Sequence, residues 1–199
     1  EEGSCSVEDD CFENQYIVGK SYDNKSLLGI HKEGKLHRLP KFDLGNTANL
    51  EAKNKEQLFA INALTDPNIQ LVSISGIAGS GKTYITLMCG FAGLLQEKYK
   101  RIVITRSIQP VGRDLGYLPG DINEKMQPWL APIIDNFRHG FKDLTYFDIM
   151  REKGEIEIAP LSYIRGRTFN DSYVIVDEAQ NASIHELKTI ITRVGKGSK

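Results

Sequence analysis

The chain has 199 residues, with 25 Lys plus Arg against 26 Asp plus Glu. Bulk charge therefore gives no evidence of a polyanionic partner, and any nucleic-acid surface has to be a local patch. The length suits one compact α/β domain with a small appendage and leaves no room for a second full domain. Cys5, Cys11 and Cys89 form no C-x-x-C pair and have no histidines at metal spacing, which fits a reduced, cytoplasmic protein. No apolar stretch approaches the ~20 residues of a membrane span, so no membrane partner is expected.

Residues 1–14 are acidic and polar with little to bury. They read as a disordered leader and do not have the pattern of a secretory signal. Residues 15–45 hold short apolar runs, Tyr16-Ile17-Val18, Leu27 to Ile30 and Lys35 to Leu39, separated by the turn formers Asp23-Asn24 and Glu33-Gly34. This spacing predicts a small β-rich module, in which His31 and His37 are solvated hairpin positions and hold no metal. The first residue is Glu1 rather than methionine, so a fragment of a longer protein is expected.

From residue 46 the pattern changes to helices alternating with continuous apolar strands, the signature of a parallel sheet covered on both faces. Helices are predicted over Lys53 to Leu64, Gly81 to Glu97, Ile122 to Phe137, Asp143 to Glu152 and Ser183 to Val194. Strands are predicted over Gln70 to Ser75, Arg101 to Thr105, Ile156 to Ala159 and Tyr173 to Asp177. Residues 46–199 thus form the α/β core, expected to be incomplete at its C-terminal end.

The run Gly76-Ile77-Ala78-Gly79-Ser80-Gly81-Lys82-Thr83 matches G-x-x-x-x-G-K-[ST] at every fixed position, between a predicted strand and a predicted helix as that pattern requires. Gly79 and Gly81 let successive N–H groups turn inward, and the helix that starts there adds the positive end of its dipole. Lys82 is expected on the β and γ phosphates of ATP and the Thr83 hydroxyl on Mg²⁺, with Tyr84 counted among the nucleotide-binding residues. About a hundred residues later the buried run Tyr173 to Val176 ends in Asp177-Glu178-Ala179-Gln180. In open α/β sheets ligands gather at the carboxyl ends of strands. Asp177 then serves the metal, and Glu178 orients and deprotonates the attacking water.

These motifs resemble those of the PhoH-like ATPases, whose core is related to superfamily-one helicases. The resemblance runs from about Asn54 to Lys199. It is carried by Thr105-Arg106-Ser107-Ile108-Gln109-Pro110-Val111-Gly112-Arg113-Asp114-Leu115-Gly116-Tyr117-Leu118-Pro119-Gly120-Asp121, by Tyr163-Ile164-Arg165-Gly166-Arg167, and by Asp177-Glu178-Ala179-Gln180-Asn181. Ser107 departs from the family, which usually has proline there. The resemblance implies a RecA-like P-loop core, ATP as substrate with Mg²⁺, an ATP-driven role on single-stranded RNA such as a helicase, and a homo-oligomer such as a hexameric ring. It also implies that Gln180 senses the γ-phosphate and that Gln57 reads the adenine edge, although Gln57 suits a solvated helix face equally well. Residues 16–45 look like the module that follows a PIN nuclease domain in one branch of the family.

Arg106, Arg113, Arg165 and Arg167 follow strands, where guanidinium groups meet nucleic-acid phosphates naturally, and Tyr117 and Trp129 offer stacking faces. The same arginines suit pairing with local acids, the same aromatics suit packing, and Arg165 or Arg167 suits a finger into a neighbouring subunit's site. Two other functions share the P-loop. A nucleotide-gated RNA-binding switch hydrolyses without unwinding, and a small-molecule kinase needs an acceptor pocket and gains nothing from Glu178 beside the metal aspartate.

Overall fold

The computed structural model describes residues 4–6, 10–20, 25–42, 44, 50–106, 122–140, 145–164 and 166–199. The N-terminal part is a four-stranded antiparallel sheet built from β1 (Ser4–Ser6), β2 (Tyr16–Lys20), β3 (Ser26–Lys32) and β4 (Lys35–Arg38), in the order β1-β4-β3-β2. The hairpin between β3 and β4 turns at Glu33 and Gly34, both with positive φ, as the Glu33-Gly34 signal predicts. The leader differs from expectation, because Ser4 to Ser6 pair with His37 to Lys35. Strand addition uses main-chain groups along the edge of β4 and does not need the apolar side chains that the leader lacks. His31 also departs from the solvated position expected. It is buried, with ring Nδ1 3.1 Å from the Phe12 carbonyl oxygen.

This sheet is fastened to α1 (Lys55–Thr65) by mixed contacts. The Tyr16 ring stacks on Phe59 with centroids 4.7 Å apart, and its hydroxyl donates to Asn62 Oδ1 at 3.0 Å. Lys32 pairs with Asp66, the C-cap of α1. Burial, with the Asp66 charge nearby, pushes the Tyr16 hydroxyl up to about 12, so it stays a neutral donor.

The core holds a three-stranded parallel sheet, β5 (Arg101–Arg106), β6 (Ile156–Pro160) and β7 (Ser172–Asp177), in the order β6-β5-β7. The central strand β5 buries Ile102, Val103, Ile104 and Thr105, which is why it reads as a continuous apolar run. Helices α2 (Lys82–Leu95), α3 (Ile122–Gly140), α4 (Thr145–Glu152) and α5 (Ile184–Ile191) complete the core. The inner face of α2 contributes Ile85, Leu87, Met88, Phe91 and Leu94 to a cluster that also takes in Ile102, Ile104, Phe137, Phe147 and Tyr173. Gly90 lets α2 approach the sheet closely. A Cβ there would lie 2.6 Å from the Tyr173 ring. The start of α5 is fixed by a reciprocal capping box between Ser183 and Glu186, a device worth about 0.5–2 kcal/mol.

The expected strand over Gln70 to Ser75 is not formed. The segment keeps a strand's alternation, with Leu71 exposed and Val72 and Ile74 packed on the core, but it has no ladder partner among the described residues. Beside β7 lies Lys199. The Lys199 N–H donates to the Ser172 carbonyl at 3.0 Å, and the Val174 N–H to the Lys199 carbonyl at 2.8 Å.

Candidate active site

Residues 76–83 lead from that unpaired segment into the N-terminus of α2. Gly81 is the N-cap of α2 with φ 85° and ψ 12°, and Gly79 has φ 75°. A side chain in this left-handed region costs about 1–2 kcal/mol. Glycine at both positions allows the turn that presents the orphan N–H groups of α2, with the positive end of the helix dipole, to an anion. Lys82 Nζ donates to the Gly76 and Ile77 carbonyls at 2.8 and 2.9 Å, so the ammonium is held over the loop by the loop's own backbone. The Tyr84 ring is turned away. It lies edge-on to His139 near the end of α3, with centroids 5.5 Å apart, and burial raises its hydroxyl pKa. Tyr84 thus stands in the first turn of α2 with its ring packed against α3.

Gln57 reaches the same loop from α1. Its Nε2 donates to the Ser80 carbonyl at 3.1 Å, its Oε1 accepts from the Lys53 N–H at 2.7 Å, and its own N–H is capped by Asn54 Oδ1 at 2.8 Å. Both ends of the amide are engaged in tying the start of α1 to the P-loop. The spacing of Asn54 and Gln57 is a helix-start signal readable from sequence, but the bond to Ser80 is not.

Across the cleft, β7 ends at Asp177, and Glu178 follows with φ 49° and ψ 43°, left-handed for a residue with a side chain. A short 3₁₀ turn, Ala179–Asn181, comes next, and Gln180 Nε2 donates to Glu178 Oε2. Strained backbone of this kind collects at functional sites, where the surroundings over-determine it. The Thr83 hydroxyl donates to Asp177 Oδ1 at 2.9 Å, joining residues 94 apart in sequence. A hydroxyl and a carboxylate converging in this way are hard oxygen donors of the sort Mg²⁺ takes while keeping several waters. Among the described residues no three His, Cys, Asp or Glu side chains come together to hold a metal. A cation at Thr83 and Asp177 would therefore complete its shell from water and nucleotide.

The arginines expected on nucleic acid separate. Arg106 is the register partner of Asp177, and its guanidinium lies 3.9 Å from Asp177 Oδ2 and 4.0 Å from Glu178 Oε1. It faces the acidic pair rather than a free surface, because parallel register brings the last residues of β5 and β7 side by side. Arg167 forms a two-pronged pair with Glu157 of β6, one prong at 2.7 Å, and lies over the Phe169 ring at 5.2 Å. Its hydrogen bonds hold the Glu157 carboxyl below the usual carboxylate range. Of the roles open to Arg167 in the sequence, this is the pairing with a local acid. Arg113, Arg165 and Tyr117 lie outside the described residues. Trp129 lies within α3.

The family model described as PhoH-like protein matches residues 49–199. The chain is 41% identical over 198 residues to Protein PhoH2 of Bacillus subtilis strain 168, covering 94% of this chain and 44% of that protein. It is 38% identical over 156 residues to Protein PhoH of Escherichia coli K12, covering 77% and 43%. It is also 44% identical over 124 residues to a PhoH-like protein of Bacillus subtilis strain 168, covering 62% and 39%. The chain thus spans less than half the length of these relatives.

Proposed function

Because the chain belongs to the PhoH-like protein family, a P-loop nucleoside triphosphatase family, we propose that it binds ATP with Mg²⁺ between Gly76–Thr83 and Asp177, and directs hydrolysis with Glu178. The observation that carries this reading is the 2.9 Å bond from Thr83 to Asp177, which joins the phosphate cradle to the acidic strand end. In this reading Gly76, Ile77, Ala78, Gly79, Ser80 and Gly81 supply main-chain donors, Lys82 leaves its carbonyl partners for phosphate oxygens, and Thr83 and Asp177 hold the cation. When bound, the cation polarises the phosphoryl oxygens and offsets their charge. Glu178 accepts a proton from water as its oxygen attacks the γ phosphorus and the bond to the bridging oxygen breaks. Gln180, bonded to Glu178, orients that carboxylate and meets the γ-phosphate. Gln57 fixes the loop, and it reads an adenine edge in this proposal only by leaving its Lys53 and Ser80 partners.

The activity of the whole protein is proposed to be an RNA-dependent ATPase, possessing helicase activity and working as a cytoplasmic homo-oligomer. The family's resemblance to superfamily-one helicases supports it, and Arg113 and Arg165 are the arginines this reading assigns to RNA. No helix among the described residues is long and apolar enough to cross a membrane. ATP turnover by the full-length protein with and without single-stranded RNA tests the reading. Turnover stimulated by RNA is expected. RNA binding gated by nucleotide without strand separation would favour the switch, and phosphate found on a small acceptor would favour a kinase.

A further inference from the structure

Arg106 sets a cation directly beside the acidic pair assigned to metal and water. The Asp177 carboxylate is divided, with Oδ1 taking the Thr83 hydroxyl at 2.9 Å and Oδ2 facing the guanidinium at 3.9 Å. The second arm of the same guanidinium faces Glu178 Oε1 at 4.0 Å. Both distances exceed hydrogen-bond reach. Arg106 is therefore a counter-charge kept in place by strand register, not a clamp locked by short bonds. The Arg106, Asp177 and Glu178 side chains are 34%, 14% and 39% exposed, so their fields are screened less than those of fully solvated pairs.

A divalent cation arriving alone at Thr83 and Asp177 would meet a positive charge already beside the same carboxylate, and like charges a few ångströms apart repel strongly in a half-buried cleft. Nucleotide phosphates reverse the balance, because the guanidinium then faces an excess of negative charge. We propose that Arg106 sets the order of loading: it disfavours Mg²⁺ in the cleft without nucleotide and favours the nucleotide itself, so that the cation enters with or after the phosphates. Arg106 acts through Asp177 and Glu178 and is a positioning residue. The proposal rests on the P-loop reading above. By linkage, whatever factor the metal gains from nucleotide, nucleotide gains from the metal.

The test uses Mn²⁺ as the metal, with free Mn²⁺ read by electron paramagnetic resonance, titrated with and without ADP into the parent, Arg106→Gln and Arg106→Lys. Arg106→Gln is expected to bind Mn²⁺ alone about tenfold more tightly than the parent and metal-free ADP more weakly, with the metal–ADP coupling factor close to that of the parent. Arg106→Lys keeps the charge and is expected to stay near the parent. If metal-only binding is too weak to read in the parent, its appearance in Arg106→Gln is the same result. Asp177→Asn should remove the Mn²⁺ signal in either background, which identifies the site. A merely structural arginine would weaken both ligands together. Metal-only affinity that is unchanged or lower in Arg106→Gln overturns the proposal while leaving the P-loop reading intact. A parent that binds no Mn²⁺-ADP overturns both.

Discussion

The two walls of the cleft are built on opposite plans. The cradle, residues 76–83, is a contiguous stretch of backbone whose chemistry comes from N–H groups, two left-handed glycines and a lysine folded back onto its own loop. The acidic wall is assembled from the ends of two parallel strands, with a strained glutamate and an arginine set between carboxylates. One wall recognises charge with local geometry, and the other arranges charge through register. Binding and chemistry should therefore fail separately when the two are damaged.

The largest expected effect falls on the acidic wall. Glu178→Gln keeps the shape and the Gln180 contact but cannot accept a proton, so turnover by the full-length protein should fall about 10²–10⁴-fold. Nucleotide affinity, measured by calorimetric titration, should stay close to that of the parent. Parent-rate turnover would assign the base elsewhere. On the cradle wall the expectation inverts. Lys82→Ala removes a charge-assisted contact worth on the order of 1.5–3 kcal/mol, so a titration with fluorescent ADP should show affinity lost by about one to two orders of magnitude. Undiminished affinity would break the distinction between the walls.

Backbone geometry sharpens the comparison further. Gly81→Ala forces a side chain into φ 85° and sets its Cβ 3.3 Å from Gln57 Nε2, whereas Gly79→Ala at φ 75° meets nothing within 4 Å. Both should lose about 1–2 kcal/mol in thermal unfolding from strain alone. Gly81→Ala should lose more and should also loosen the loop's tie to α1. Equal losses would show that the Gln57 contact contributes nothing.

The smallest effect lies on β6, across β5 from the acidic wall, at Glu157 and Arg167. The pair lowers the folded pKa of Glu157, while the unfolded chain recovers an ordinary value of about 4.3. The stabilisation is therefore present above that value and is lost as pH falls through the folded pKa. Both partners are partly exposed, at 28% and 38%, so the contribution is modest. Comparing acid unfolding of the parent with Glu157→Gln should show a slightly shallower pH dependence in the variant. Parallel curves would mean that the pair is fully screened.

Much of the cradle is legible in the sequence, because glycines, lysine and threonine at fixed spacing describe a local turn and its helix. The helix start at Ser183 and the buried runs of β5 and β7 are legible for the same reason, and the start of α1, expected at Lys53, falls at Lys55 behind the Asn54 cap. The departures from expectation share a cause. Gln70 to Ser75 has the alternation of a strand and Ser4 to Ser6 is too short to display one, yet among the described residues the second pairs and the first does not. Pairing depends on what lies beside a segment in the fold, a fact written in no short stretch of sequence. His31 has the neighbours of a solvated hairpin residue, and only the distant Phe12 carbonyl, brought beside its ring by the fold, marks it as buried.

Sequence alone determined that residues 76–83 form a glycine-rich turn at the head of a helix and that Asp177 and Glu178 close an apolar strand, since each rests on neighbours along the chain. Only the tertiary structure decided that Arg106 stands beside that acidic pair and that Arg167 is spent on Glu157. Those placements follow from the parallel alignment of β5 with β7 and from the approach of Arg167 to β6, and such contacts between distant segments are set by packing of the whole core rather than by any local pattern.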